Sequence, residues 1–196
     1  MIDVFLKIIE NNYLYKETEH INEIIAGCKK NDRKAQERLY RSFYDSMMNL
    51  CIRYTKDEDD AKLVLNTGFL KVFKNIEKYD SKKAVLYTWI RTIVINSCID
   101  HIKSKQSTIV ANELHEADAV HVDAEADTKV DANEILHLIK KLPAATQVVF
   151  NLYIVEGYGH KEIAILLQIS EGTSKWHLSE ARKNLKMQLL RENISE

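Results

Sequence analysis

Apolar residues recur at three- and four-residue intervals through most of this chain, and no run alternates strictly with polar residues. The first period belongs to helices and the second would belong to strands. Ile21, Ile24 and Ile25 begin one predicted helix, which Asn31-Asp32 interrupts. Asp32 is placed to cap the next, which runs through Ala35, Leu39, Phe43, Met47 and Leu50. Asp57-Glu58-Asp59-Asp60 supplies the acidic first turn that a helix dipole favours. A third helix follows through Ala61, Val64, Leu65, Phe69, Val72, Phe73 and Ile76. Asp80-Ser81-Lys82-Lys83 reads as a loop. A fourth stripe of Leu86, Trp89, Ile90, Ile93, Val94, Ser97 and Ile102 ends in Lys103-Ser104-Lys105, and Trp89 is expected in the core.

Periodicity weakens over residues 106–130, which are rich in Ala, Asp and Glu and read as a linker. It resumes with Ile135, Leu138, Ile139 and Leu142. Pro143 suits the first turn of a helix that passes Val148, Val149, Leu152 and Tyr153 and ends at Gly157, a natural C-cap. Gly159 can cap the next helix, and Glu162 three residues on can accept from its N–H. Ile163, Ala164, Leu166 and Leu167 give that helix an apolar face. Ile169-Ser170-Glu171-Gly172 breaks the pattern as a tight glycine turn, and Ser170 can cap a last helix. There Ser174, Leu178, Ala181 and Leu185 keep the inward spacing, while Lys175, Trp176, His177, Ser179 and Arg182 point elsewhere. Residues 1–20 read as a short amphipathic lead-in.

Composition narrows the picture. The chain has 196 residues, a formal charge of −1, five Gly and one Pro. That scarcity of turn residues favours long helices over a turn-rich all-β fold. The small total charge hides an asymmetry: residues 1–105 carry net +4, whereas residues 106–134 carry eight acids and one Lys129, net −7. Cys28, Cys51 and Cys98 are scattered with no CxxC, which supports neither a zinc knuckle nor a redox pair and suits a reducing cytoplasm. His115, Glu116, Asp118, His121 and Asp123 are better read as a solvated acidic linker than as metal ligands. No signal peptide or membrane span is expected. No phosphate loop, nucleophile elbow or paired catalytic constellation appears, so neither enzymatic chemistry nor a cofactor is expected.

The two C-terminal helices carry the candidate chemistry. Two helices joined by a short turn, with donors at the start of the second, can lay that end in a DNA major groove. From Glu171 to Arg191 five basic residues face two acids, net +3, which favours a phosphate-facing helix. A helical hairpin with a solvated polar face accounts for the same residues when the hairpin stands alone.

Two blocks together resemble a known family. Leu142-Pro143, Val149-Phe150-Asn151-Leu152-Tyr153, Glu156-Gly157-Tyr158, Lys161-Glu162-Ile163-Ala164 and Ser170-Glu171-Gly172-Thr173-Ser174-Lys175 are similar to the promoter-binding domain of extracytoplasmic-function (ECF) sigma factors. Phe69-Leu70-Lys71-Val72-Phe73-Lys74-Asn75-Ile76, Trp89-Ile90-Arg91 and Asn96-Ser97-Cys98-Ile99-Asp100-His101 resemble the family's N-terminal domain. The resemblance implies an all-α protein of two small helical domains, 21–105 and 131–192, joined by the acidic linker 106–130, the second containing a helix-turn-helix. It implies a cytoplasmic sigma factor that binds core RNA polymerase, through its β′ clamp helices and β flap, and directs it to promoter DNA. Asp60, Leu63, Asn66, Thr67 and Leu70 fall where that family touches polymerase. Lys82, Lys83, Tyr87, Asn96, Asp100 and Lys103 fall where it handles the melted −10 element. Thr173, Ser174, Lys175, Trp176, His177, Ser179, Arg182 and Lys183 fall on the helix that reads the −35 element.

The chain departs from the family pattern in several places. The family usually has Asp at the position of Leu63, Gln at Asn66, an acid at Thr67, Arg at Lys103 and a serine cap at Gly159. Ala84-Val85-Leu86-Tyr87-Thr88 lacks its usual small and aromatic pattern. The departures at 63, 66 and 67 imply weaker binding to core polymerase. They leave two alternatives open: a helix-turn-helix regulator without sigma activity, and a sigma-like protein that acts by sequestering an anti-sigma factor, the candidate third partner.

Overall fold

The computed structural model describes residues 19–106 and 132–192. Its regular structure among these residues is entirely helical. They cluster into two compact units, one from the described part of Met1–Ile52 with Asp57–Cys98, the other from Arg53–Lys56 with the described part of Ile99–Glu196. The linker reading of 106–130 and the residues around His115 and His121 lie outside the described residues, apart from Gln106.

The first unit is built on α1 (Glu19–Lys29), α2 (Arg33–Tyr54) as far as Ile52, α3 (Glu58–Asn75), a 3-10 turn (Ile76–Lys78) and α4 (Leu86–Gln106) as far as Cys98. Asn31 takes the left-handed conformation (φ 58°) that ends α1. Asp32 then caps α2, its Oδ1 accepting from the N–H groups of Lys34 (2.7 Å) and Ala35 (3.1 Å). Asp57 caps α3 by accepting from Asp60 N–H at 2.8 Å. Each cap satisfies donors that the first helical turn leaves unpaired. Leu39, Met47 and Leu50 of α2, Val64, Leu65 and Phe69 of α3, and Ile90, Val94 and Ile95 of α4 are buried. Burying a side chain of this kind stabilises by about 1.5–3 kcal/mol.

Trp89 corrects the core expectation. It is half-buried, its ring 5.3 Å from that of Tyr79. Leu86, Ile90 and Val94, four residues apart, take the interior line, and Trp89 stands one residue off it.

The second unit is built on α5 (Ala132–Lys140), α6 (Ala144–Phe150), a π-helical turn (Asn151–Val155), α7 (His160–Leu167) and α8 (Glu171–Glu192). Ile139, Leu142 and Ala181 form a buried cluster with Phe150 and Leu185 packed against it. Val149, Leu152, Ile163 and Leu178 are also buried. Pro143 stands one residue before α6, where its carbonyl accepts from Gln147 N–H at 2.8 Å. The helix through Tyr153 is not uniformly α. Glu156 N–H reaches Asn151 O at 3.0 Å, a π-type bond, and Tyr158 N–H reaches Leu152 O at 2.9 Å. Gly157, at φ 76°, provides the left-handed residue that this ending needs.

The turn between α7 and α8 also differs from expectation. Its left-handed residue is Gln168 (φ 60°), whereas Gly172 lies inside the first turn of α8.

Gly27 of α1 faces the start of α2. A Cβ at Gly27 would lie 2.5 Å from Ala35 Cβ, so something must shift. Gly27→Ala gains roughly 1 kcal/mol of helix propensity, but overpacking of this kind costs about 1–3 kcal/mol. The variant is expected to unfold at a temperature several degrees below the natural chain, as read by thermal denaturation. An unchanged or raised midpoint would show that α1 moves aside freely.

Candidate nucleic-acid and partner interfaces

Helix α8 begins with a well-made cap. Ser170 Oγ accepts from Thr173 N–H at 2.9 Å and bonds Thr173 Oγ1 at the same distance. The cap sets where the helix starts and so which residues turn inward. Ser174, Leu178 and Ala181 are buried and Leu185 is partly so, as their spacing predicts. Lys175, Arg182 and Lys183 are exposed, and Trp176 and Ser179 are half-buried. Lys175, Ser179 and Arg182 stand at i, i+4 and i+7, with Trp176 and Lys183 one residue along. Together these five present three long cations, a hydroxyl and an indole. Glu180 is engaged along the helix, accepting from Asn184 Nδ2 at 3.3 Å.

Two of the candidate residues are occupied elsewhere. Ser174 is wholly buried, and its Oγ lies 2.9 Å from His160 Nδ1. His177 is half-buried, with Nδ1 3.1 Å from Thr146 Oγ1 of α6 and its ring edge-on to Trp176 at 4.7 Å. Both side chains hold α8 in place.

His160 is a residue that the sequence reading passed over. It opens α7 and stacks on Tyr153, ring centroids 4.5 Å apart and planes 24° from parallel. Burial pushes its pKa below the usual imidazole value. Lys175 and Arg182 push the same way, and Glu171 opposes them. Beside it, Gly159 N–H donates to Glu162 Oε2 at 2.8 Å, the expected half of a capping box.

On α3 the buried residues Ala61, Val64, Leu65, Gly68, Phe69 and Val72 define the inner side. The outer side carries Asn66 and Thr67, both exposed, and two leucines in solvent: Leu63 at 57% and Leu70 at 60% exposure. Asp60 is half-buried at the helix start. Thr67 Oγ1 donates to Leu63 O at 2.8 Å, and Asn66 Oδ1 accepts from Tyr40 OH at 2.9 Å.

On α4, Asn96 and Asp100 are exposed and Lys103 is half-buried, on the stripe that their i, i+4, i+7 spacing predicts. Thr88 and Thr92 continue that stripe toward the helix start, and Thr92 Oγ1 donates to Thr88 O at 2.9 Å. Lys82 and Lys83 are exposed in the loop before α4, where Asp80 Oδ1 accepts from Lys82 N–H at 3.0 Å. Tyr87 is half-buried and stacks on Phe43 at 6.3 Å. Cys28, Cys51 and Cys98 are buried, and burial together with nearby Asp32 pushes the Cys28 thiol pKa up to about 11. No helix among the described residues is long and apolar enough to cross a membrane.

Comparison with known proteins matches two family models in order along the chain: Sigma-70 region 2 over residues 39–108 and Sigma-70, region 4 over residues 132–185. The chain is 23% identical to RNA polymerase sigma-H factor of Pseudomonas aeruginosa over 177 residues, 84% of this chain and 91% of that one. It is 27% identical to the ECF RNA polymerase sigma factor SigW of Bacillus subtilis over 187 residues, 86% of this chain and 96% of that one. Among solved structures, it is similar to the sigma factor RpoE from Bartonella quintana, crystallised with the anti-sigma factor NepR. That match has a TM-score of 0.49 and 16% identity, and covers 78% of this chain and 95% of that one.

The His160 environment carries a pH expectation. A folded-state pKa below the unfolded value of about 6.5 means that the unfolded chain binds the proton first. His160 therefore contributes stability above about pH 6.5 that is lost as pH falls through its folded value. The ring is only half-buried, so solvent screening keeps the effect modest. An NMR titration of the imidazole is expected to give a midpoint below about 6.5, and His160→Gln is expected to flatten the loss of stability between neutral and acid pH. A midpoint above that value would reverse the sign.

Proposed function

This chain belongs to the sigma-70 family of RNA polymerase sigma factors, in its ECF group, and from that premise we propose how its residues divide the work. The protein is a sigma factor that directs promoter-specific transcription initiation. The family is one of non-enzymatic transcription factors, which fits a chain whose work is recognition. We place a polymerase-binding and −10 domain at 21–105, a linker at 106–130 and a −35 domain at 131–192, in a cytoplasmic protein.

In this reading the outer side of α3, with Asp60, Leu63, Asn66, Thr67 and Leu70, docks on the β′ clamp helices of core polymerase. The second domain docks near the β flap. The loop with Lys82 and Lys83, together with Tyr87, Asn96, Asp100 and Lys103 of α4, takes the non-template strand of the −10 element. Melted DNA offers unstacked bases and phosphates, which suit amide, aromatic and cationic side chains.

The start of α8 lies in the major groove of the −35 element, as the second helix of a helix-turn-helix does. Lys175, Arg182 and Lys183 face the DNA with Trp176 and Ser179, and Thr173 stands at the cap. Ser174 and His177 act as struts, because their side chains bond His160 and Thr146. The observation that carries this division is the α8 stripe: Lys175, Ser179 and Arg182 point outward while Ser174, Leu178 and Ala181 are buried. The region 2 match over 39–108 supports a full sigma factor over a regulator that reads duplex DNA alone.

The test is in vitro transcription with the host's core polymerase and mapped start sites. The natural chain is expected to initiate at a defined set of promoters. A folded Lys175→Ala/Arg182→Ala variant is expected to lose roughly 1–3 kcal/mol for each base contact removed and to relax selectivity upstream, with −10 usage retained. Unchanged promoter choice in that variant would remove α8 from the −35 role.

A further inference from the structure

Tyr40 belongs to none of the surfaces assigned above, yet its hydroxyl reaches the outer side of α3. It lies on α2, with its ring edge-on to buried Phe69 at 4.7 Å and tilted against Tyr44 at 5.6 Å. The hydroxyl donates to Asn66 Oδ1 at 2.9 Å. Burial first, then Tyr44 and Cys51, raise the phenol pKa above its usual value, so Tyr40 remains a protonated donor at neutral pH.

That bond decides which way the amide faces. An unrestrained asparagine on an exposed helix position offers either its carbonyl or its NH2 group. Here the carbonyl is engaged, and Nδ2 has no partner among the described residues. The surrounding groups sharpen the contrast. Thr67 spends its hydroxyl proton on Leu63 O, and Lys62 is paired with Glu58 at 2.8 Å. Leu63 and Leu70 stand exposed, three residues before and four after Asn66. The centre of the face is thus an amide donor between two leucines. Carboxylates at these positions would call for a basic partner, whereas a donor among leucines calls for an acceptor among apolar groups.

We propose that Tyr40 is a positioning residue for polymerase binding: it holds the Asn66 amide so that its N–H groups meet a carbonyl or carboxylate acceptor on the core enzyme, flanked by apolar side chains that Leu63 and Leu70 contact. The proposal rests on the reading of the α3 face as the polymerase contact.

The experiment measures affinity of the full chain for the host's core polymerase, with thermal stability recorded for each variant. Tyr40→Phe keeps the ring on Phe69 and removes only the hydroxyl. It is expected to weaken binding about three- to tenfold, the range for one net hydrogen bond. Asn66→Ala is expected to weaken binding at least as much, and Tyr40→Phe to add nothing in that background. Asn66→Asp can still accept from Tyr40 but offers no donor, so it is expected to bind more weakly than the natural chain. Full affinity in Tyr40→Phe, an equal loss from Tyr40→Phe in the Asn66→Ala background, or tighter binding by Asn66→Asp would each overturn the proposal. Should Tyr40→Phe prove unstable, the sign of the Asn66→Asp effect decides. Leu70→Asp tests the face itself: unchanged affinity there overturns the α3 reading and the proposal with it. A loss in Leu70→Asp beside full affinity in Tyr40→Phe removes Tyr40 alone.

Discussion

Burial of Val64, Leu65, Phe69 and Val72 fixes the rotation of α3 about its own axis. With 3.6 residues per turn, a helix that commits one stripe to a core has no freedom left in what it shows on the other side. Leu63, Asn66, Thr67 and Leu70 are consequences of that commitment. The same constraint acts on α8, where Ser174, Leu178 and Ala181 face in and Lys175, Ser179 and Arg182 face out. The surfaces proposed for recognition are what remains of two amphipathic helices once their cores are made.

The caps set the phase of each stripe. Asp57 and Ser170 each pin the first turn of one of these two helices, through Asp60 N–H at 2.8 Å and Thr173 N–H at 2.9 Å. A cap substitution typically costs about 1 kcal/mol. At these two positions it would also loosen the turn that carries Asp60 or Thr173 and Lys175.

Much of this was legible in the sequence. The helical stripes, the caps at Asp32, Gly159 and Ser170, the acidic helix start at Asp57–Asp60, the glycine ending at Gly157 and the inward set of α8 follow from spacing and side-chain chemistry. What escaped has physical causes. A π-type turn over five residues leaves the same apolar pattern as an α-turn, so Asn151–Val155 gave no signal. Gln168 carries no mark of a left-handed residue, and Gly172 nearby drew the turn to itself. Trp89 lies one residue from the true interior line. Ser174 satisfied both the core spacing and the exposed motif, and only its burial chooses between them. His160 and Tyr40 act through contacts 14 and 26 residues away, which no local pattern encodes.

The burial of Ser174 bears on how this protein changes over generations. A small hydroxylated residue sits where α8 meets α7, held by His160, and its neighbours on that stripe are Leu178 and Ala181. Variation there is confined by volume and by the need to satisfy a buried hydroxyl. One residue further along, Lys175, Ser179 and Arg182 meet no such demand from the core. Surface substitutions of that kind usually change stability by less than about 0.5 kcal/mol. The outward stripe can therefore change its side chains, and with them its charge and hydrogen-bonding character, while the fold stays as it was.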